Sequence, residues 1–318
     1  MLMFISKLPK INEENMQNGP YAVILAPTRE LAQQIEDDTS KFASKLGMTC
    51  VSIVGGHSLD EQSFSLRNGA EIVIATPGRL KDCLERRLLV LSQCTYIVMD
   101  EADKMIDMGF DQDVNIILDA LPVTNLKPDS DDAEDASKML ENNYDARHRY
   151  RQTVMFTATM PPLVERLARK YMRRPATVFV GVQGKAVDTV EQIVEFVASE
   201  AQKRDKLLAL LKSGFEPPII IFVNQKRGAD VLSKGLEKHG YKTTTLHGGK
   251  SQEQREISLS QLKNGTKEVL VATDVAGRGI DIKDVSVVIN YDMAKTIDGR
   301  FYFILFLFLY FLFIYLFL

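Results

Sequence analysis

Short apolar runs alternate with stretches of helical periodicity along most of the chain. The first run, at 21–26, ends at Pro27 and is followed by helical spacing over 28–46 that stops at Gly47. The alternation predicts further strands at 48–54, 70–75, 95–99, 152–156 and 176–180. A second series predicts strands at 193–197, 219–223, 243–246, 269–272 and 285–289. Repeated strand–helix units of this kind predict an α/β fold with parallel sheets covered on both faces.

The alternation is interrupted at two places, which sets the predicted domain organisation. Residues 124–151 are rich in acidic side chains, with Lys138 the one base between 129 and 145, and this composition predicts a solvated insertion. A polar, glycine-containing stretch begins at residue 181 and predicts a linker. We therefore expect four segments: a first α/β domain at 1–182, a linker at 183–190, a second α/β domain at 191–298, and an apolar tail at 299–318.

The net charge of −3 gives no overall basic field, so binding to nucleic acid would have to rest on local residues. The three cysteines, Cys50, Cys83 and Cys94, show neither a C-x-x-C spacing nor a cluster with histidine. This pattern argues against a disulfide framework or a zinc site and favours a reducing compartment. The apolar run at the N-terminus is too short to predict a signal peptide.

Residues 301–318 consist only of Phe, Leu, Tyr and Ile, and their length reaches the lower limit for a membrane span. Membrane spans usually include Ala, Gly and Val and carry basic flanking residues. All four residue types here have codons built only from T and A, so we expect an aberrant tail translated from T-rich sequence. No stable membrane association is expected, and a membrane-anchored protein is the alternative.

Polar segments follow most of the predicted strands, where the carboxyl ends of parallel strands gather ligands. The tetrapeptide Asp100-Glu101-Ala102-Asp103 follows an apolar strand, and such carboxylates can hold magnesium through water and orient an attacking water. Taken alone, the tetrapeptide could equally be the acidic start of a helix. Comparable segments occupy 27–32, 55–56, 76–79, 157–159, 222–224, 252–255 and 272–281. Each could be a local cap or turn, but their number and order are not explained by local structure.

This ordered set of segments resembles the motifs of the DEAD-box RNA helicases of superfamily 2, and the resemblance covers 19–298. It implies two tandem RecA-like domains, an ATPase and RNA helicase activity, ATP and magnesium as cofactors, and RNA as the partner. The Thr-Pro-Gly-Arg segment at 76–79 and the tetrapeptide at 100–103 favour the RNA-acting branch over a DNA helicase or remodeller. Few aromatic residues lie among the basic ones, which favours gripping of the RNA backbone over base stacking.

The resemblance also implies a role for particular residues. Asp100 would coordinate magnesium through water, and Glu101 would activate the hydrolytic water. Gly279 and Asp281 would approach the nucleotide ribose. Three residues would couple the state of ATP to RNA engagement: Asp103, Thr157 and Thr159. Thr157 stands where the family more often has Ser, and the hydroxyl is kept. Seven residues would line the RNA path: Arg29, Gly56, Thr76, Arg79, Asn224, Arg255 and Thr273.

Residues 152–162, the acidic insertion and residues 217–226 are similar to the spliceosomal branch of the family. That similarity implies a role in pre-mRNA splicing, with pre-mRNA, small nuclear RNA and spliceosomal proteins as partners and a nuclear location.

The family's phosphate-binding motif, G-x-x-x-x-G-K-[S/T], is expected to be missing. The stretch at 249–251 has the right ending, but the first glycine would fall at Thr244, inside a predicted strand. The family's late arginine motif is not found either. We therefore expect the first sheet to lack its P-loop strand and the 318-residue chain by itself to be catalytically deficient. The alternative is a non-enzymatic fragment that binds RNA or the spliceosome.

Overall fold

The computed structural model describes residues 1–56, 62, 64, 66–131, 135, 137, 150–180, 190–273, 282, 284–293 and 312–317. The chain divides into two compact units, Met1–Gln183 and Gly184–Leu318.

The first unit contains a sheet whose described strands are all parallel. They are β1 (Ala22–Leu25), β2 (Cys50–Ile53), β3 (Ile72–Ala75), β4 (Tyr96–Met99) and β5 (Gln152–Met155), in the order β2-β3-β1-β4-β5. The helices described here are α1 (Leu2–Ile5), α2 (Arg29–Ala43), α3 (Pro77–Glu85), α4 (Ala102–Asp107), α5 (Asp111–Asp119) and α6 (Pro162–Tyr171). Two short 3-10 helices cover Met16–Asn18 and Ser44–Leu46.

The centre of this sheet is buried on both faces because its strands are continuous apolar runs. Every residue of β1 and β3 is buried, and side chains alternate between two hydrophobic clusters. Val23 and Leu25 pack into one cluster, while Ala22 and Ile24 pack into the other. This burial on both faces is the pattern of a parallel sheet between two helical layers.

One predicted strand of the first unit is absent. Residues 176–180 carry no regular structure, and Val178, Phe179 and Val180 are exposed. The prediction rested on an apolar run, but a strand also needs a neighbour for its backbone groups. No described strand pairs with the outer edge of β5, so the prediction of a strand at 176–180 is wrong.

The ends of the acidic insertion meet at one place. The backbone N–H of Arg151 donates to the carbonyl of Asn125 at 2.6 Å, and the Arg151 guanidinium donates to the carbonyl of Pro122 at 3.1 Å. The Asn125 amide donates in turn to the carbonyl of Cys94 at 2.9 Å. The two ends of the insertion, at Asn125 and Arg151, therefore lie together where β4 and β5 begin.

The second unit contains another sheet in which all described strands are parallel. They are β6 (Val190–Glu195), β7 (Ile219–Val223), β8 (Thr243–Leu246), β9 (Val269–Thr273), β10 (Val287–Asn290) and β11 (Leu312–Phe317), in the order β6-β11-β10-β7-β9-β8. The helices are α7 (Glu200–Lys212), α8 (Lys226–Lys238) and α9 (Gln252–Lys263). Strand β11 belongs to the apolar tail and pairs with β6 and β10.

The core of the second unit is organised around β7, whose five residues are all buried. Ile219, Ile221 and Val223 pack on one face of the sheet, and Ile220 and Phe222 pack on the other. Each unit has a sheet whose described strands are all parallel, with helices that connect strands in sequence. This confirms the predicted α/β class and its two tandem units. Among the residues that the structure describes, no helix is long and apolar enough to cross a membrane.

Candidate active site

The acidic part of the candidate site begins where β4 ends. The backbone N–H of Asp100 donates to the carbonyl of Leu25 at 2.9 Å, so the pairing of β4 with β1 continues up to the tetrapeptide. The next N–H, that of Glu101, donates to Oδ1 of Asp100 at 3.0 Å. The N–H of Ala102 donates to the carbonyl of Phe156 at 3.0 Å, which ties the turn to the end of β5.

Glu101 has an unusual backbone conformation, with φ of 52° and ψ of 51°. This left-handed region costs free energy for a residue with a side chain, and such residues cluster at functional sites. Glu101 is also the residue that precedes the first turn of α4. The turn directs the Glu101 side chain into the protein, where only 4% of the residue is exposed.

A lysine one turn along α4 meets this buried carboxylate. Nζ of Lys104 lies 2.6 Å from Oε1 of Glu101, and both side chains are buried. Oε2 of Glu101 is buried as well and has no hydrogen-bond partner among the described residues. Burial raises the pKa of Glu101, and the neighbouring Lys104 charge opposes that rise. Burial likewise raises the pKa of Asp100, against the opposing hydrogen bond from the Glu101 backbone.

The three predicted coupling residues form one hydrogen-bonded network. Oδ2 of Asp103 accepts from the backbone N–H of Thr159 at 2.8 Å and from its hydroxyl at 2.7 Å. The Thr157 hydroxyl accepts from the backbone N–H of Asp103 at 3.3 Å and donates to the carbonyl of Thr159 at 2.7 Å. The residues that follow β4 and β5 are therefore held together by side-chain hydrogen bonds in addition to the pairing of the strands.

The acidic residues fit a magnesium ion held largely through water. Among the described residues no group of three His, Cys, Asp or Glu side chains could enclose a metal ion. Magnesium does not need such a cage, because it retains several waters and uses one or two carboxylates together with phosphate oxygens. Asp100 fits this description, because burial raises its pKa and a nearby cation would stabilise the charged form of its carboxylate.

Basic and small residues lie close together at the carboxyl ends of β1, β3 and β2, the three strands on the side of β4 away from β5. Arg29 opens α2 after β1, and its guanidinium lies against Gly55 and Gly56 after β2. A Cβ atom at Gly56 would overlap the Arg29 guanidinium, and the φ of 90° at Gly56 also favours glycine. Nε of Arg79 donates to the carbonyl of Val54 at 3.2 Å.

Two helices begin at this edge of the sheet. Thr28 precedes α2 and accepts a hydrogen bond from the N–H of Leu31 at 3.3 Å, and Thr76 precedes α3. Backbone N–H groups at helix N-termini and arginine side chains suit phosphate oxygens. The structure thus brings together the four first-unit residues predicted to contact RNA: Arg29, Gly56, Thr76 and Arg79.

In the second unit, Asn224 and Thr273 lie at the carboxyl ends of the neighbouring strands β7 and β9. Thr273 is the last residue of β9 and is paired with Val223, which directly precedes Asn224. The N–H of Asn224 donates to Oδ2 of Asp292 at 2.8 Å, and its side-chain amide donates to the carbonyl of Met293 at 2.8 Å. These two bonds fix both the backbone and the side chain of Asn224.

Arg255 lies in the first turn of α9, the helix that follows β8, and its guanidinium donates to Oε1 of Gln252 at 3.4 Å. Gly279 and Asp281 lie outside the described residues. Sequence reasoning missed two residues of these sites, Lys104 and Asp292. Asp292 lies two residues beyond the end of β10, so an inspection of the segments that follow predicted strands could have found it.

Comparison with known proteins extends the resemblance to whole-domain similarity. The chain is 65% identical over 299 residues to the probable ATP-dependent RNA helicase DDX23 of Homo sapiens, covering 94% of the chain and 36% of that protein. It is 61% identical over 300 residues to the pre-mRNA-splicing ATP-dependent RNA helicase prp28 of Sclerotinia sclerotiorum, covering 94% of the chain and 37% of that protein. The chain thus spans little more than a third of these relatives, and the predicted similarity to the spliceosomal branch is confirmed.

The fold and the domain families agree with these relatives. A solved structure of Dbp5 from S. cerevisiae, bound to RNA and ADP BeF3, matches with a TM-score of 0.75 and 26% identity, covering 96% of this chain and 73% of that one. Residues 202–300 match the helicase conserved C-terminal domain. Residues 1–167, more than half of the chain, match the DEAD/DEAH box helicase family, and the chain belongs to that family.

Proposed function

We propose that this chain forms part of the ATP-hydrolysing and RNA-binding region of an ATP-dependent RNA helicase that acts in pre-mRNA splicing, and that the chain by itself is catalytically deficient. The observation that carries the proposal is the arrangement at the end of β4. A buried general-base candidate, Glu101, stands beside Asp100 and is joined through α4 to the network of Asp103, Thr157 and Thr159. The relatives reported above are an ATP-dependent RNA helicase and a pre-mRNA-splicing RNA helicase, which supports the same function.

In this proposal the acidic residues divide the work of hydrolysis. Asp100 would hold magnesium through water, and the ion would neutralise charge on the nucleotide phosphates. Glu101 would accept a hydrogen bond from the attacking water and take its proton as the water oxygen bonds to the γ-phosphorus and the bond from that phosphorus to ADP breaks. Oε2 suits that role because it is the carboxylate oxygen left without a partner among the described residues. Burial excludes bulk water from this oxygen and strengthens its electrostatic interaction with the attacking water.

The coupling network would transmit the state of the nucleotide site to the RNA-binding edge of the first unit. Asp103 lies in the same short helix as Lys104 and accepts hydrogen bonds from Thr159, which follows β5. A displacement of the residues after β4 would therefore displace the residues after β5, and the reverse. At the neighbouring strand ends, Arg29, Gly56, Thr76 and Arg79 would grip the RNA backbone. Contacts of this type read phosphate and sugar and carry no base sequence.

The second unit would supply Asn224, Arg255 and Thr273 to the RNA path, and Gly279 and Asp281 to the nucleotide ribose. The proposed partners are pre-mRNA, small nuclear RNA and spliceosomal proteins, and the proposed location is the nucleus. The domain limits stay those proposed from the sequence: a first domain at 1–182, a linker at 183–190, a second domain at 191–298 and a tail at 299–318.

The test is phosphate release, with and without single-stranded RNA, by the full-length protein, meaning here this chain completed with the P-loop segment and the late arginine motif that it is expected to lack. We expect hydrolysis that RNA stimulates, and a loss of at least about 100-fold in Glu101→Gln, the range for removal of a general base. Glu165→Gln is the matched control, because Glu165 is a half-exposed residue of α6 that pairs with Arg169 at 2.6 Å. RNA binding without any turnover would favour the non-enzymatic alternative, and full turnover by Glu101→Gln would refute the assigned role.

A further inference from the structure

Lys104 is a buried cation that none of the roles assigned so far uses. Its ammonium and the Glu101 carboxylate are each close to fully buried, at 6% and 5% exposure of the side chain, and lie 2.6 Å apart. Burying two charges costs free energy that surface pairs avoid, and such pairs are weak evidence for a purely stabilising role. One partner of this pair is the proposed catalytic carboxylate itself. A pair that served only to stabilise the fold would not need to involve that residue.

The pair makes the two oxygens of Glu101 unequal. Oε1 is taken by the Lys104 ammonium, while Oε2 has no hydrogen-bond partner among the described residues. A carboxylate held at one oxygen cannot rotate freely about its terminal bond, so the direction of the other oxygen is fixed. The lysine thereby selects which oxygen faces an incoming donor and where that oxygen points.

The backbone of Lys104 is itself held by the coupling network. Its N–H donates to Oδ1 of Asp103 at 3.1 Å, and Oδ2 of the same carboxylate accepts from Thr159. A continuous path of hydrogen bonds and covalent bonds therefore runs from Thr159 through Asp103 and Lys104 to Glu101. Contiguous contacts of this kind are the physical route by which a shift at one site reaches another.

We propose that Lys104 is a positioning residue that holds the Glu101 carboxylate in the orientation required to accept a hydrogen bond from the attacking water. The inference rests on the proposed function, since it concerns how Glu101 performs its part of hydrolysis. Lys104 does not touch the reacting atoms and acts only through Glu101. It also links the position of Glu101 to that of Asp103 and, through it, to the residues that follow β5.

The test measures RNA-stimulated ATP hydrolysis by the full-length protein carrying Lys104→Met, which keeps most of the side-chain volume and removes the charge. We expect kcat to fall roughly 10- to 100-fold, the size of effect that misplacement of a catalytic group produces. The KM for ATP should stay within about twofold of the wild-type value, because uniform binding is unchanged. Lys104→Arg keeps the charge and should recover most of kcat. The matched control is Lys81→Met, which removes a partly buried ion pair with Asp113 at 3.0 Å elsewhere in the first unit.

A double-mutant cycle tests whether Lys104 acts through Glu101, with each rate expressed per folded first unit as measured by hydrogen–deuterium exchange, so that loss of structure is not counted as loss of positioning. In the Glu101→Gln background, Lys104→Met should change the residual rate by less than about twofold, because a residue that acts only through Glu101 has nothing left to position. A loss that multiplies with that of Glu101→Gln, or a rise in the KM for ATP as large as the fall in kcat, would overturn the proposal. Wild-type kcat in Lys104→Met would also overturn it while leaving the proposed function intact. Absence of RNA-stimulated hydrolysis in the wild type would instead defeat the proposed function.

Discussion

Lys104→Met should destabilise the first unit in a way that depends on pH. The substitution leaves the Glu101 carboxylate buried next to an apolar side chain, with the charge of Lys104 gone. Removing one partner of a buried ion pair costs about 3–5 kcal/mol while the other stays charged. The Glu101 residue can limit that loss by taking up a proton, because burial already raises its pKa and the lysine that opposes the rise is no longer there.

The sign of the pH dependence follows from the direction of that shift. In the variant, the folded state holds a proton on Glu101 at a pH where the unfolded state has released it. The free energy of unfolding therefore falls as pH rises from the unfolded pKa of glutamate through the raised folded pKa. Relative to wild type, the variant should lose about 3 kcal/mol or more at pH 8 and clearly less at pH 5.

The measurement is hydrogen–deuterium exchange of peptides from β4 and α4 in urea, for variant and wild type at both pH values. Exchange of these peptides reports opening of the first unit separately from the second. The double variant Glu101→Gln/Lys104→Met should recover most of the loss at pH 8, since neither buried charge remains. A loss of stability that is equal at both pH values, or below about 1 kcal/mol at pH 8, would refute the view that a buried charge is left uncompensated.

Two further predictions concern separate parts of the chain. Arg29→Ala should weaken binding to single-stranded RNA of any sequence and reduce the salt dependence of log K by about 0.7, the slope for one phosphate contact on a single strand; an unchanged slope would contradict the phosphate contact. Burial raises the pKa of Cys94 to about 12 and that of Cys50 to about 11, so the native chain should label slowly with a thiol reagent at pH 8 and rapidly in urea. Rapid labelling of Cys94 in the native chain would show that β4 opens more readily than its burial indicates.

Local patterns predicted most of the fold because the strands are short apolar runs bounded by turn residues. The strand at 219–223 and the strand at 243–246 appear with the predicted limits. The strand predicted at 176–180 is missing, because an apolar run specifies burial but does not specify the neighbour that must pair with it. Pairing with a distant strand is a property of the whole sheet and cannot be derived from the run itself.

The candidate site was predictable where it follows the ends of parallel strands and unpredictable where it depends on a single backbone turn. Asp103 and Thr159 follow neighbouring strands, and the structure places them in contact. Lys104 escaped prediction because a lysine in a short helix normally faces solvent. It is buried here because the left-handed turn at Glu101 directs the glutamate inward, and that conformation has no marker in the sequence. The positive φ of a residue other than glycine is set by the surrounding structure.

The placement of β11 affects the order in which the second unit can form. In the described sheet β6 pairs only with β11, and the paired residues Val190 and Leu312 are roughly 120 positions apart in the chain. The chain must lose the conformational entropy of closing this long segment before β6 and β11 can form stabilising contacts. Their pairing is therefore expected to be slow compared with the pairing of β7 and β9. During synthesis, β6 leaves the ribosome long before its neighbour does. Its unpaired backbone edge is then a surface on which chaperones or other nascent chains can act.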